Sequence, residues 1–328
     1  MPASFPTSIK TWTPLVDNVD DVMADDQNTS YLEITAAETF LLTRVAITPG
    51  GRLTLTTALP VTTADVTGAT SVYYTPYVHN LITLWTGSYW SSVVFTQVTL
   101  ALGVVTAALP YDIYGYLSAG ALAVEKLAWT NGTTRATAIS LQDGRYCKTG
   151  DKTRLYLGAI YTTSTSATED SGGGATSQVG GKRFVWNMYN QVPRAAAVIE
   201  GTNTWSYTTN TVRQANGAAG NKVEFVLGLP TLVEASVYGI VYILGGTLAA
   251  KVGVGVDSTS AFSGVRQGGY NFNVGGLYAP VSGAYKGILA AGYHYLAWCE
   301  KGGDSTSTFI GDNSGDDQQS GMYATAMI

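Results

Sequence analysis

Apolar and polar positions follow two different periods along this chain, and the change between them falls near residue 45. Acidic and amide residues within 17–21 precede a run without Gly or Pro up to Pro49, which predicts one helix over residues 17–43. From residue 51 onward, short runs of alternating Val, Thr, Tyr and Leu are separated by turn residues, which is typical of β-strands. The pattern therefore predicts a single helix followed by a mainly β body.

The predicted helix carries a seam of positions spaced alternately four and three residues apart, as in a coiled coil. The seam positions are Met23, Gln27, Ser30, Ile34, Ala37 and Leu41. Its C-terminal half is apolar, whereas Gln27 and Ser30 make its middle polar. Because an isolated helix of this length is only marginally stable in water, it either packs across its own β body or associates with other copies. We favour the second interpretation, a trimerisation region over residues 16–46.

Residues 1–15 form a proline-punctuated segment ahead of the helix, which predicts an extended arm. Its apolar anchors are Phe5, Ile9, Trp12 and Leu15. The arm either folds back on its own body or inserts into another protein. We favour insertion, because the helix should carry the arm away from the body.

The β body divides into two predicted domains. Residues 47–163 contain short strands between turn signals such as Ser118-Ala119-Gly120 and Asp143-Gly144, which predicts a β-sandwich. The Ser- and Gly-rich run 164–181 predicts a linker or a surface loop, in which Glu169 and Asp170 would be solvated. Residues 182–328 again show only strand patterns and predict a distal, jelly-roll-like β domain. The predicted fold class is mainly β, with an N-terminal extended arm, a single trimerising helix and two sandwich- or jelly-roll-like domains.

Composition narrows the environment and the partners of the chain. Apolar residues make up 45% of its 328 residues, which indicates a packed protein, and only 12% are charged. The net charge is −5 and the basic residues are scattered, which argues against a nucleic-acid partner. The N-terminus shows no basic-then-apolar pattern, so we expect no cleaved signal segment. No apolar run approaches about 20 residues, so we expect no membrane insertion. Cys147 and Cys299 lie far apart in sequence, so we expect free thiols and assembly in a reducing cytoplasm, a bridge between them being the alternative.

No catalytic or cofactor-binding pattern stands out in the sequence. The chain has two histidines, expected in a turn (His79) and on a packed strand (His294), and it lacks a Gly-x-Ser-x-Gly elbow, so we predict no enzyme and no cofactor. The run 311–317 offers four oxygen ligands suited to calcium, but its spacing misses the EF-hand pattern, so we predict no metal. These four residues are Asp312, Asn313, Asp316 and Asp317.

Loops of the distal domain are the predicted binding surface. Their best candidate is the segment 270–273, which combines aromatic rings with amide groups that suit a sugar. It consists of Tyr270, Asn271, Phe272 and Asn273.

Several segments resemble one known family. They are 5–9, 16–24 with Asn28, 34–38, 62–66, 73–77 (Tyr-Tyr-Thr-Pro-Tyr) and 182–187 (Lys-Arg-Phe-Val-Trp-Asn). On these residues the chain is similar to a family of fibre-like bacteriophage virion proteins, and the similarity spans nearly its whole length. The resemblance implies a homotrimeric structural protein of the virion, attached by its N-terminus to another protein of the tail or capsid. It would present its β domains to a glycan or protein of the host surface.

Two other functions stay open from the sequence. One is a capsid decoration or head fibre protein, which differs in its place on the virion. The other is a polysaccharide depolymerase, which is disfavoured because such spikes carry long β-helix repeats and no such period occurs here.

Overall fold

The computed structural model describes residues 24–44, 47–245, 248–264, 266–270, 277–303, 306–312 and 318–328. For residues 24–26, 39–44, 266 and 270, only the backbone is described. Helix α1 spans Ala24–Arg44 and lies beside a strand of the first half, Trp90–Val94. The described part of the predicted helix is therefore helical.

Strands make up most of the remaining described chain, which confirms the prediction of a mainly β protein. The first eleven are β1 (Gly51–Thr54), β2 (Val66–Ala69), β3 (Ser71–Pro76), β4 (Leu81–Trp85), β5 (Trp90–Val94), β6 (Val98–Ala101), β7 (Pro110–Ser118), β8 (Ala121–Ala128), β9 (Ile139–Gln142), β10 (Arg145–Lys148) and β11 (Asp151–Tyr161).

The strands that follow belong mostly to the second half. They are β12 (Thr168–Gly173), β13 (Gly180–Arg183), β14 (Val185–Asn187), β15 (Pro193–Ile199), β16 (Thr204–Ser206), β17 (Val212–Gln214), β18 (Lys222–Leu227), β19 (Thr231–Ile243), β20 (Ala250–Val256), β21 (Arg266–Tyr270), β22 (Leu277–Leu289), β23 (Gly292–Lys301), β24 (Ser307–Ile310) and β25 (Gly321–Met327), with a 3-10 helix at Ala215–Gly217.

The first half contains three small sheets, whose strand orders are β1-β3-β6, β4-β5 and β8-β7-β11-β10-β9. They enclose one hydrophobic core, in which Ile82, Leu84 and Ile113 are fully buried. Tyr74 stacks on Phe95 in the same core, with ring centroids 5.1 Å apart.

The second half is organised around one large sheet that closes on itself. Its strands follow the order β19-β22-β21-β20-β23-β18-β13-β12-β15-β25, and β25 pairs with β19 to complete the ring. The pairs β12–β15 and β13–β18 are parallel, whereas the others in the ring are antiparallel. The enclosed core contains Trp186, Phe225, Trp298 and Phe309. Alternation of buried and outward residues along β19 places one face of that strand in this core and the other on the surface.

The two halves exchange strands and side chains. Strand β2 joins the large sheet through β12, and β14 pairs with β11 of the first half. Tyr114 and Tyr156 contribute to the second core, while Val185 contributes to the first. A boundary at 163–182 therefore does not separate the strands cleanly, and the division into two domains stays a prediction.

The segment 164–181 is not a linker or a surface loop, so that prediction is wrong. It contains β12 and the beginning of β13, and Thr168, Asp170 and Ser171 are buried. Its glycines are required by close packing: a Cβ on Gly173 would lie 2.1 Å from the amide nitrogen of Gly181. A Ser- and Gly-rich composition here reflects tight strand contacts instead of flexibility.

The prediction that Asp170 is solvated is also wrong, because its carboxylate is buried. It accepts hydrogen bonds from Arg183 Nη1 and Arg194 Nη2, each at 2.9 Å. Thr62 Oγ1, from the first half, donates to the same carboxylate at 3.1 Å. This arrangement ties β12, β13 and β15 to the first half of the chain.

Candidate functional site

The residues of the predicted oligomerisation seam lie on the surface of α1 where they are described. Ser30, Ile34 and Ala37 are exposed, with 44% of Ile34 accessible, and Gln27 is half-buried. Leu41 lies in the helix, but its side chain is outside the description, and Met23 precedes the described residues. An exposed seam is what association with other copies would require, and this role stays a prediction.

The other predicted site residues fall mostly outside the described chain. The arm anchors Phe5, Ile9, Trp12 and Leu15 all lie there, as do Asn271, Phe272 and Asn273. Tyr270 is the last residue of β21, where its backbone pairs with Ala250 of β20. Of the calcium candidates, Asp312 is described, whereas Asn313, Asp316 and Asp317 are not.

A surface groove of about 440 Å³ lies on the outward face of β19, β22 and β25. Its volume falls within the range of about 300–1,000 Å³ that is usual for ligand sites. The lining residues are Glu234, Ala235, Ser236, Ala284, Tyr285, Lys286, Tyr323 and Thr325.

The strand register explains the shape of this groove. Ser236 of β19 is paired with Tyr323 of β25 on one side and with Ala284 of β22 on the other. In antiparallel strands, paired residues point to the same face. The small side chains of Ser236 and Ala284 therefore form a low floor, and Tyr323, which is 62% exposed, stands beside it as a wall.

The next row of the sheet carries the charges of the groove. Glu234 lies between Thr325 and Lys286, and the Glu234 Oε1 to Lys286 Nζ distance is 2.6 Å. Both charged side chains are more than half exposed, so the ion pair adds little to stability. The pair instead offers an acceptor, a donor and no net charge to a molecule in the groove.

The scaffold beneath the groove is regular and well packed. Val233, Val237 and Val241 of β19 point into the second core and are fully buried. Strands β19 and β22 pair along thirteen residues without a register shift. The outward side chains are therefore held at fixed spacings, as a preformed binding surface requires.

Two buried glutamates, Glu300 on β23 and Glu200 directly after β15, have pKa values shifted in opposite directions, and both brace the structure. Burial raises the pKa of Glu300, although Trp205 Nε1 donates to its carboxylate at 2.6 Å and Arg213 pairs with it at 2.7 Å. At Glu200, burial is outweighed by hydrogen bonds from Gln178, Asn221 and Thr202, which lower the pKa.

Both glutamates are fully shielded from solvent. Glu300 holds the segment 213–216 to β23, and Glu200 holds 178, 202 and 221 together. Their hydrogen bonds account for their burial, and a substrate could reach neither without opening the structure.

The histidines and cysteines have structural environments. His79 lies outside any strand, and its Nδ1 accepts a hydrogen bond from the Leu81 amide at 3.2 Å. His294 lies on β23, buried, with Nδ1 2.7 Å from Asp257 Oδ2. Cys147 and Cys299 are buried free thiols, and burial raises the pKa of Cys147 to about 11 and that of Cys299 to about 12. Neither thiol is therefore activated as a nucleophile.

Neither a metal-binding group nor a membrane-spanning helix is found among the residues that the structure describes. Among those residues, His, Cys, Asp and Glu form no group suited to holding a metal ion. No helix there combines the length and the apolar composition that a membrane span requires.

Comparison with known proteins gives little guidance. The chain matches no protein-family model and no curated protein. It is similar to the insecticidal delta-endotoxin Cry8Ea1 from Bacillus thuringiensis at 7% identity and a TM-score of 0.23, over 85% of this chain and 52% of the toxin. It is similar to the mosquito-larvicidal Cry4Aa toxin of the same bacterium at 10% identity and a TM-score of 0.20, over 80% of this chain and 52% of the toxin. The chain thus spans about half of each toxin, and a likeness at these TM-scores carries no argument about fold or function.

Proposed function

We propose that this protein is a structural fibre protein of a phage virion, a homotrimer that binds a host-surface glycan through its β body. The observation that carries the binding function is the groove between Tyr323 and the Glu234–Lys286 pair. The resemblance of several sequence segments to fibre-like virion proteins supports the biological setting. The low charge of the chain supports a surface role that does not depend on strong electrostatic attraction.

A glycan suits the chemistry of the groove. Sugars present C–H faces that pack on aromatic rings, and Tyr323 offers such a ring with a hydroxyl at its edge. Their hydroxyl groups both donate and accept, which matches the carboxylate of Glu234, the ammonium of Lys286 and the hydroxyl of Ser236. Because the groove is shallow and open, a single site would bind weakly. Three copies in a trimer and several fibres on a particle would raise the avidity.

The remaining parts of the chain complete this proposal. The arm would attach to another virion protein of the tail or capsid, and α1 would trimerise the protein during assembly in the host cytoplasm. The two halves would be sandwich- and jelly-roll-like, which the closing of the large sheet through β25 supports. A capsid decoration protein is the main alternative, and antibody labelling of intact particles would distinguish the two by location.

Binding by the purified full-length protein tests the proposal. Applied to immobilised bacterial surface polysaccharides, it should bind at least one, and Tyr323→Ala should weaken binding by about tenfold, as expected for an aromatic contact of about 1.4 kcal/mol. Tyr89→Ala, which removes an exposed tyrosine from the turn between β4 and β5, is the matched control and should leave binding unchanged. Binding that Tyr323→Ala leaves intact would contradict the proposal. Release of oligosaccharides during incubation would instead indicate a depolymerase.

A further inference from the structure

The outward face that contains the groove continues as a row of exposed tyrosines. Tyr323 of β25 is 62% exposed, Tyr238 of β19 is 47% exposed and Tyr278 of β22 is 61% exposed. The pairings Ser236–Tyr323 and Tyr242–Tyr278 place Tyr323 and Tyr278 on the face that Tyr238 also occupies. The Tyr242 and Tyr278 rings are in contact, with centroids 5.1 Å apart. This end of the row therefore carries two adjacent aromatic rings.

The spacing of the row follows from the register. Position 236 pairs with Tyr323 and lies one two-residue repeat before Tyr238 on β19, a distance of about 7 Å along the strand. The neighbouring strands β25 and β19 lie about 5 Å apart. Position 242, which pairs with Tyr278, lies six residues beyond 236, or about 20 Å along the strand. The three tyrosines thus describe an oblique line of about 20 Å across three strands.

Residues with small, uncharged side chains lie between the tyrosines. The outward residues of β22 between Lys286 and Tyr278 are Ala284, Ser282 and Pro280, and Gly321 of β25 pairs with Tyr238. Among these described positions, the Glu234–Lys286 pair carries the only charges, and they neutralise each other. These positions on β19, β22 and β25 therefore carry no net charge, which suits a long, uncharged, hydroxyl-rich polymer.

We propose that this face is a track for an extended neutral polysaccharide chain, of which the groove at Tyr323 is one subsite. The chain would run obliquely from Tyr323 past Tyr238 to the Tyr242–Tyr278 pair, with a sugar ring packed on each aromatic group. This inference rests on the proposed function and deepens it: the ligand is an internal stretch of polysaccharide of several sugar units, not a single terminal sugar. A terminal sugar would use only the groove and would leave Tyr278 without a role.

Dependence of affinity on chain length tests the track. The probe is the polysaccharide that binds the full-length protein best, cut by partial hydrolysis and separated into oligosaccharides from the monosaccharide upward. Affinity should rise with length until the chain spans the row and then level off. Tyr278→Ala should weaken binding of the long oligosaccharides by about tenfold and leave a disaccharide unaffected, whereas Tyr323→Ala should weaken both.

Two variants separate the roles of the ring and of folding. Tyr278→Phe keeps the aromatic face and should bind long chains nearly as the native protein does. Tyr238 lies in the middle of the row, so the Tyr238→Ala variant should lose affinity for chains of intermediate and greater length. The thermal unfolding midpoint of each variant verifies that the fold is retained.

Each outcome decides between the two proposals. Binding that levels off at a disaccharide, with Tyr278→Ala silent, would overturn the track and leave the groove intact. Absence of binding to every polysaccharide would overturn the proposed function and the track with it. A fall in molecular mass of the Tyr323→Ala or Tyr278→Ala protein, measured by light scattering, would show that a second copy covers this face and would also overturn the track.

Discussion

At the scale of single residues, the hairpin turns show how local sequence chemistry determines backbone conformation. The β9–β10 hairpin turns through Asp143 and Gly144, both with positive φ, as expected for an Asp-Gly turn of two residues. The β7–β8 hairpin turns through Ala119 and Gly120, with φ of 48° and 82°. The methyl group of alanine cannot form the local hydrogen bonds by which Asn or Asp offsets this left-handed conformation. Ala119 is therefore strained by about 1 kcal/mol.

Replacing Ala119 by Asn should relieve that strain. Asn-Gly is the preferred pair for this turn, so Ala119→Asn should raise the free energy of unfolding by about 0.5–1 kcal/mol. Urea unfolding followed by tryptophan fluorescence would measure the change. Gly120→Ala is the opposite control, because open space surrounds Gly120 and only its positive φ opposes a Cβ. A lower midpoint for Ala119→Asn would show that the turn is not strained.

The His294–Asp257 pair should make stability depend on pH. Burial opposes protonation of His294, but the hydrogen bond and charge of Asp257 outweigh it, and the pKa of His294 is raised. A raised folded-state pKa stabilises the protein below the unfolded value of about 6.5, and this contribution is lost as the pH rises through the folded pKa.

Asp257→Asn isolates this effect, because the amide oxygen can still accept the Tyr295 N–H that Asp257 now accepts at 3.0 Å. The native protein should exceed the variant by about 1 kcal/mol or less below pH 6.5, since Asp257 is 44% exposed. The difference should shrink as the pH rises toward 9 in urea unfolding measured at a series of pH values. A difference that grows with pH would contradict the prediction.

At the scale of elements, β12 is held by buried charge. Asp170 pairs with Arg183 of β13 and Arg194 of β15, so one carboxylate fixes three strands. Arg52 of β1 donates to the carbonyl oxygens of Ile328 and Asn190 near the same place. Burial lowers the pKa of Arg52 to about 10, which leaves it charged at neutral pH.

Asp170→Asn should therefore be strongly destabilising. It leaves two buried guanidinium groups without a countercharge, and breaking a buried pair in this way costs about 3–5 kcal/mol. Asp143→Asn is the matched control. Asp143 pairs with one cation, Lys152, at a solvent-exposed position, so this substitution should change the stability far less. Urea unfolding measures both, and insoluble Asp170→Asn protein beside soluble Asp143→Asn protein would agree with the expectation. Equal stability of the two variants would contradict it.

Elements determined by local chemistry could be predicted from the sequence, whereas those determined by distant partners could not. The helix, the mainly β body and the turns at 118–120 and 143–144 follow from propensity and turn residues. The strand β12 was missed because its burial depends on Arg194 and Thr62, which are 24 and 108 residues from Asp170. Alternation in 231–243 reveals an outward face on β19, but only the register shows that Tyr323 and Lys286 flank it. The sequence therefore predicts binding at the segment 270–273, whereas the groove on the sheet can be recognised only once the register is known.

At the scale of the whole molecule, two surfaces have separate roles in the proposed fibre. The tyrosine-bearing sheet would bind the ligand, and the exposed seam of α1 would bring copies together. Each surface would be insufficient alone, because a shallow site gains its strength from repetition. Assembly and ligand binding should therefore be separable by mutation.

Aspartate substitution in the helix tests this separation. Light scattering should give three times the chain mass for the native protein, and the double variant Ile34→Asp with Leu41→Asp should be monomeric. An uncompensated carboxylate buried in the seam costs several kcal/mol per group. Leu32→Asp is the matched control, because Leu32 is 71% exposed and lies on the helix away from the seam, so this variant should remain trimeric.

Binding measured on the same variants separates the affinity of a single site from avidity. The monomeric variant should bind a short soluble oligosaccharide with unchanged affinity, because the groove is remote in sequence and built on another element. Its binding to a polysaccharide-coated surface should fall by about 10² to 10⁴, which is the usual loss when avidity is removed. A native protein that is already monomeric at micromolar concentration would contradict the trimer. Surface binding that the loss of assembly leaves unchanged would show that a single copy suffices, and the helix would then need a different role.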